Sequence, residues 1–266
     1  MKLWMLGSGS RGNALLLECA GSRVLIDAGF SPRMLAARLG EIGVAGESIE
    51  AVVITHEHTD HVRGARACAK RWGWELYTSV GTAASYGELR TGGVRTFAAG
   101  DTLELREVSL RSVPTPHDAA EPVAFVATAR RSGVRAGIAY DIGHVTTTLQ
   151  GALTELDLLV LESNHDREML RDGPYPRIVQ TRIAGPRGHL CNDAAASLAS
   201  ECAHAGLEHV VLAHLSQKCN RPTIAKAVMA GALKRTTFRG RVTAAHQDRV
   251  VGPFTAGMQT QLSLAL

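Results

Sequence analysis

Short apolar runs recur along the whole chain, each bounded by turn-forming or charged residues, and this spacing predicts strands far more often than long helices. Strands are predicted at 2–6, 14–18, 23–27, 51–54, 75–78, 102–105, 108–113, 123–128, 135–140, 158–161, 209–213, 241–245 and 258–262. Helices are predicted at 32–41, 61–71, 81–89, 193–205 and 221–233, several opening on Pro, Asp or a similar start signal. The chain has no internal repeat and no low-complexity linker. Hairpin-like meanders interspersed with helices imply an α/β fold in which two mixed sheets pack face to face with helices outside.

One apolar run leads into unusual chemistry. Ala51-Val52-Val53-Ile54 is followed by Thr55-His56-Glu57-His58-Thr59-Asp60-His61, which crowds His56, His58, Asp60 and His61 together. A strand ending at Thr55 leaves His56 and His58 in an extended turn, where alternation points both imidazoles the same way. Asp60 and His61 then fall at the start of the next helix and face a second, adjacent ion. Such a cluster builds a two-metal hydrolytic centre, in which the ions activate a shared water and clamp the reacting oxygens. A solvated loop that happens to be rich in His and Asp is the plain alternative. It loses ground because further ligand types recur at the mouths of later strands, namely His117, Asp141 and His214.

This set of seven resembles the metallo-β-lactamase-fold hydrolases. The resemblance implies the αββα sandwich, with His56, His58 and His117 on a first metal, Asp60, His61 and His214 on a second, and Asp141 bridging both. Asp60 is then both ligand and catalytic residue. Asp27, in Val24-Leu25-Ile26-Asp27-Ala28-Gly29, matches the superfamily's first motif, whose part is to orient the ligands from behind. Narrower motifs resemble the YycJ (WalJ, VicX) family. They are Gly7-Ser8-Gly9-Ser10-Arg11-Gly12-Asn13, Glu162-Ser163-Asn164-His165-Asp166, Gly173-Pro174-Tyr175-Pro176, Gly188-His189-Leu190-Cys191-Asn192 and His214-Leu215-Ser216-Gln217-Lys218-Cys219-Asn220. That family implies a cytoplasmic 5′-to-3′ DNA exonuclease linked to mismatch repair. Two departures are Cys191, where the family usually has Ser, and His144, near an expected aromatic.

The intervals between motifs separate relatives that share these ligands. Only 24 residues lead from His117 to Asp141, leaving no room for the long arm with which RNase Z enzymes hold tRNA. About 70 residues separate Asp141 from His214, too few for the cap domain of the β-CASP nucleases. Class B β-lactamases of the common kind place Cys where this chain has Asp141. A bridging carboxylate is harder than thiolate and makes the second site more hospitable to Mn²⁺ as well as Zn²⁺, so two divalent ions, Mn or Zn, are expected. The alternative function is a small-molecule metallohydrolase, either a cyclic or alkyl phosphodiesterase or a glyoxalase-II-like thioesterase. A thioesterase of that kind carries a C-terminal helical region, whereas the tail here reads as strands.

Composition adds boundaries. Ligands spread from His56 to His214 must converge, so residues 1–266 are read as one domain. Gly7 ends the first apolar run too early for a signal-peptide core, and no apolar stretch approaches the roughly 20 residues that span a bilayer. With five scattered cysteines and no CxxC pair, the chain reads as a reduced, cytoplasmic protein without a disulfide framework. A net charge of +4 suits a polyanion without demonstrating one. Arg167, Arg171, Arg177, Arg182 and Arg187 cluster before His189, partly offset by Asp166, Glu168 and Asp172. The expected partners are DNA, as a single strand or a 5′ end, and repair proteins, with no membrane; the oligomeric state stays open.

Beyond the ligands, His189 is the candidate proton donor to the leaving group, against a purely structural histidine as the bland reading. Glu162 and His165 are expected behind the ligands, with direct metal ligation by His165 as a lesser possibility. The Gly7–Asn13 loop offers Ser8, Ser10, Arg11 and Asn13 to a phosphate, and Asn220 is a further substrate-binding candidate. Arg11 would seat a terminal 5′-phosphate.

Overall fold

The computed structural model describes residues 1–90 and 92–257. Its first half runs β1 (Lys2–Gly7), β2 (Ala14–Cys19), β3 (Ser22–Ile26), α1 (Pro32–Glu41), β4 (Ala51–Ile54), α2 (Thr59–Val62), α3 (Ala65–Trp72), β5 (Glu75–Ser79), α4 (Val80–Ser85) and β6 (Val94–Phe97). The second half begins with β7 (Thr102–Glu104), β8 (Val108–Pro114), β9 (Val123–Ala129), β10 (Arg135–Ala139), α5 (Thr147–Ala152), β11 (Leu158–Glu162), α6 (Arg167–Arg171) and α7 (Arg177–Ala184). It ends with α8 (Asn192–Cys202), β12 (His209–Ala213), α9 (Pro222–Leu233), β13 (Arg241–Ala244) and β14 (Val251–Thr255). Among the described residues the strands form two seven-stranded sheets, ordered β14-β1-β2-β3-β4-β5-β6 and β13-β12-β11-β10-β9-β8-β7.

Apolar alternation assigns the layers. In β1, Leu3 and Met5 enter the core between the sheets, while Trp4 and Leu6 join an outer core with Leu35 and Leu39 of α1 and Cys68 of α3. In β12, Val211 and Ala213 face between the sheets, and Val210 and Leu212 pack outward with α8 and α9. Strands covered on both faces must be apolar at successive positions, which is why these runs lack a clean polar alternation. The expected αββα sandwich follows from three stacked cores.

Each sheet starts as an antiparallel meander and turns parallel. β3, β4, β5 and β6 pair in parallel, as do β10, β11, β12 and β13. The carboxyl ends of parallel strands are where α/β sheets open onto ligands. Here they carry Asp27 after β3, Thr55 to His58 after β4, Asp141 after β10, Glu162 at the end of β11 and His214 after β12.

Several predicted elements differ. The helix expected at 61–71 is two, α2 and α3, broken at Gly64, whose N–H bonds Ala28 O at 2.8 Å instead of extending one ladder. The helix expected at 81–89 ends at Ser85 before a single 3₁₀ turn. β6, α5, α6 and α7 were not foreseen, being short or largely polar. The strand expected at 258–262 lies outside the described residues, and β14 fills the edge beside β1 despite Gly252 and Pro253, residues that mask a strand and are tolerated at sheet edges. All five cysteines are buried and unpaired. Among the described residues no helix is long and apolar enough to cross a membrane.

Candidate metal centre

The centre is built outward from Asp27, a fully buried carboxylate in the left-handed region at φ 61°. It accepts hydrogen bonds from Thr55 N at 2.8 Å, from the Thr55 hydroxyl at 2.9 Å and from Tyr140 OH at 2.9 Å. Its Oδ2 also lies 2.7 Å from His61 Nδ1. A carboxylate only accepts, so His61 carries its proton on Nδ1 and turns Nε2 toward the centre. His117 is held the same way, with Nδ1 donating to Gly188 O at 2.9 Å.

His56, His58 and His117 form one triad, with ring centroids 4.6 to 5.2 Å apart. Asp60, His61 and His214 form a second, in which Asp60 Oδ2 stands 3.4 Å from both His61 Nε2 and His214 Nε2. Asp141 lies between the triads. Its Oδ2 is 2.6 Å from His61 Nε2 and 3.6 Å from His56 Nε2, and its Oδ1 is 2.8 Å from His214 Nδ1. All seven candidate ligands therefore converge. Asp141 and His214 share the left-handed conformation of Asp27, at φ 57° and 53°. In each case the turn out of a strand throws the side chain inward instead of letting it continue the pleat, at a local backbone cost.

Charge in this space is tightly compensated. Burial alone would raise the Asp141 carboxyl, but the His214 and His61 imidazoles hold it well below the usual range. Burial likewise opposes Asp60, and His61 and His214 outweigh it, so that carboxyl is also lowered. His56 goes the other way: desolvation, reinforced by His61, keeps it neutral and free to donate its lone pair. Most buried polar atoms find a partner in folded proteins. Of six buried side-chain atoms without a hydrogen bond among the described residues, four are His56 Nε2, His214 Nε2 and both oxygens of Asp141. Four such atoms at one point, in a set of imidazoles and carboxylates, fit divalent metal cations.

Behind this set, Glu162 is fully buried and accepts from Ile142 N at 2.9 Å and Leu190 N at 3.1 Å. Its Oε1 lies 2.8 Å from His189 Nδ1 and 3.1 Å from His214 Nδ1. Burial pushes the His189 imidazole down, but Glu162 and Asp141 more than compensate and raise it to about 9. Burial would raise Glu162 too, yet the His189 imidazole holds it down at about 2. His189 keeps 21 % of its side chain exposed, so it reaches the opening while anchored from within.

The remaining sequence candidates lie around the ligand loops. Ser8 is buried, with its hydroxyl accepting from His214 N at 2.8 Å. Asn13 is buried and donates to Asp60 Oδ2 at 3.2 Å. Asn220 donates to the backbone oxygens of Ser163 and Asn164 at 2.8 and 3.1 Å. These three brace the ligand loops from inside, because a polar side chain placed under a loop must satisfy that loop's backbone. Ser10 and Arg11 are exposed, and Arg11 is paired with Asp248 at 2.6 Å. His165 falls outside every ligand group; it is buried, bridges Cys191 through the backbone, and desolvation lowers it to about 4. Sequence reading missed Tyr140 and Thr55 on Asp27, and Asp118, whose Oδ1 is 3.3 Å from His117 Nε2 and whose Oδ2 accepts from Arg182 at 2.7 Å. Adjacency to His117 was the one available signal for Asp118.

The sequence profile of the metallo-beta-lactamase superfamily matches residues 7–165. Exodeoxyribonuclease YycJ of Bacillus anthracis is 29% identical over 238 residues, covering 88% of this chain and 89% of its own. Exodeoxyribonuclease WalJ of Streptococcus pneumoniae is 29% identical over 238 residues, covering 87% and 88%. Both support the YycJ/WalJ family. The crystal structure of the metallo-beta-lactamase fold protein YhfI from Bacillus subtilis superposes with a TM-score of 0.69 at 19% identity, covering 94% of this chain and 98% of that one, a likeness of fold. With its two sandwiched sheets and its rim of imidazoles and carboxylates, the chain belongs to the metallo-beta-lactamase superfamily and is a metal-dependent hydrolase.

Proposed function

We propose that residues 1–266 act as one cytoplasmic catalytic unit, a two-metal phosphodiesterase that shortens DNA from a 5′ end during repair. The observation that carries this reading is Asp141 standing between two triads, with its oxygens within 3.6 Å of His56, His61 and His214. His56, His58 and His117 would hold one ion, Asp60, His61 and His214 the other, and Asp141 both. Bound there, two Mn²⁺ or Zn²⁺ ions would supply an activated water and positive charge for the non-esterified oxygens of a phosphodiester.

The chain's own residues do the rest. Asp27 and the Gly188 carbonyl fix the tautomers of His61 and His117, so each offers Nε2 without rearrangement. Glu162 holds His189 by Nδ1 and favours its protonated form, leaving Nε2–H for the leaving alkoxide, the least stable product of phosphodiester cleavage. A hard alkoxide benefits from that proton, whereas a thiolate leaving group does not need it, and this favours phosphodiester over thioester. The names of the two relatives, each matched over most of its length, support DNA as the substrate.

The test is metal-depleted protein reconstituted with Mn²⁺ or Zn²⁺ and offered end-labelled DNA, RNA, a cyclic phosphodiester and a thioester. Stepwise shortening of a 5′-phosphorylated linear strand with survival of a circular single strand is expected. Rapid nicking of the circle would make the enzyme an endonuclease, and activity confined to the small esters would overturn the DNA reading.

A further inference from the structure

Two neighbouring cavities lie on one side of the centre, the first of them beside His189. The first, of about 390 Å³, has His189 in its wall together with Leu190 and Leu198, the imidazoles of His144 and His165, and the carboxylate of Glu201. The second, of about 260 Å³, shares His165, Arg167 and Ala184 with the first and adds Arg171 and Arg177. No carboxylate lines it. One cavity thus has the His189 imidazole in its wall, and its neighbour has three guanidinium groups.

The arginine cluster noted in the sequence divides in two here. Arg182 and Arg187 are committed to the loop after His117, through Asp118 and through the carbonyls of His117 and Ala119. Arg167 and Arg171 make exposed pairs, Arg167 with Asp193 at 3.6 Å and Arg171 with both oxygens of Asp172 at 2.9 and 3.0 Å, interactions worth little in water and readily exchanged for a phosphate. Arg11, the sequence candidate for a terminal phosphate, is likewise paired with both oxygens of Asp248, at 2.7 and 2.6 Å, but lines neither cavity.

We propose that these adjoining cavities are the subsite for the 5′-terminal nucleotide of the strand, with sugar and base beside His189 and the terminal 5′-phosphate on Arg167, Arg171 and Arg177. The inference rests on the DNA-exonuclease reading above. In hydrolysis from a 5′ end, water adds at phosphorus and the P–O3′ bond breaks. Its electron pair leaves on O3′ of the terminal nucleotide. O3′ takes a proton from His189, the water gives its own up to solvent, and the new phosphate stays with the remaining strand. The departing fragment thus lies on the His189 side, and its own phosphate lies one nucleotide further on. The cavities follow that course, and their sizes suit a single nucleotide. Arginine is the side chain suited to a phosphate monoester, which carries more charge than an internal diester.

The experiment compares wild type with Arg171→Gln/Arg177→Gln and, separately, Arg11→Gln on matched linear strands bearing a 5′-phosphate or a 5′-hydroxyl. Binding of a deoxynucleoside 5′-monophosphate to each full-length protein is measured by calorimetry. Wild type is expected to prefer the phosphorylated strand at least tenfold, and the double variant to lose most of that ratio and to bind the mononucleotide at least tenfold more weakly. A double variant that keeps both the wild-type ratio and the mononucleotide affinity overturns the subsite, as does collapse of the ratio in Arg11→Gln alone, or a wild type indifferent to the 5′ group. Wild type that cleaves no DNA overturns the function on which the subsite rests, an outcome distinct from the others.

Discussion

A carboxylate behind one ring nitrogen and an open face at the other separate His189 from the five histidines around it. If it protonates the leaving oxygen, His189→Ala keeps its metals and slows DNA cleavage by roughly 10²–10⁴-fold, while a p-nitrophenyl phosphodiester, whose leaving group needs little help, slows by less than about tenfold. Equal losses on both substrates, or lost metal, would make it a structural histidine. His165 makes a different prediction. Its folded-state pKa of about 4 lies below the ordinary 6.5, so the unfolded chain binds more protons between those values, and stability contributed by neutral His165 is lost as pH falls through that window. Urea unfolding of His165→Asn should show about 2 kcal/mol less destabilisation between pH 7 and pH 5 than wild type. An unchanged acid slope would place the titration elsewhere. The convergence of the ligands was legible at this scale, because His56, His58, Asp60 and His61 stand close in sequence. Their supports were not, since Tyr140 reaches Asp27 across 113 positions and nothing local marks it.

Between strand and helix, two glycines set the position of the ligand-bearing turn. A Cβ on Gly29 would fall 1.7 Å from Asp60 O, and one on Gly64 would fall 1.8 Å from Phe30 O. The loop after β3 is thereby pressed against both ends of α2, the helix that carries Asp60 and His61. Gly64→Ala should cost about 3 kcal/mol and displace that helix enough to lower metal content, because backbone cannot yield as a side chain can. Gly231, within α9 with open space around it, is the contrast: Gly231→Ala should be neutral or stabilising by up to about 1 kcal/mol. Thermal denaturation and elemental analysis of the two variants check both expectations. The break at Gly64 was hidden in the sequence, where a lone glycine in a helical pattern reads as tolerated. What stops the helix is the tertiary bond from Gly64 N–H to Ala28 O, and no window of local residues contains it.

Across the whole molecule, the ligands come from both sheets, with His56, His58, Asp60 and His61 from the first and His117, Asp141 and His214 from the second. Ions held there would tie the sheets together at the rim. Chelation should therefore lower the melting temperature by roughly 10 °C, and elemental analysis of active protein should find two ions per chain. One ion in fully active protein, or an unmoved melting curve, would count against the two-metal reading. The layered fold was legible because its buried strands are nearly continuous apolar runs. β14 was not, because Gly252 and Pro253 interrupt its pattern and only pairing with β1 makes it a strand.

The left-handed backbone at Asp27, Asp141 and His214 restricts what these positions can become. Few side chains other than Asn, Asp and His accept that conformation readily, so each of these residues is selected once by its chemistry and once by its own φ. An Asp141→Asn protein should keep its fold and lose its cations. Recasting the centre toward softer metals through Asp141→Cys would have to overcome roughly 1–3 kcal/mol of backbone strain before any gain in thiolate affinity is felt. The three strand ends thus make the ligand set resistant to drift: neighbouring sequences can vary the cavities and change the substrate, while the positions that aim the ligands are held to a short list of residues.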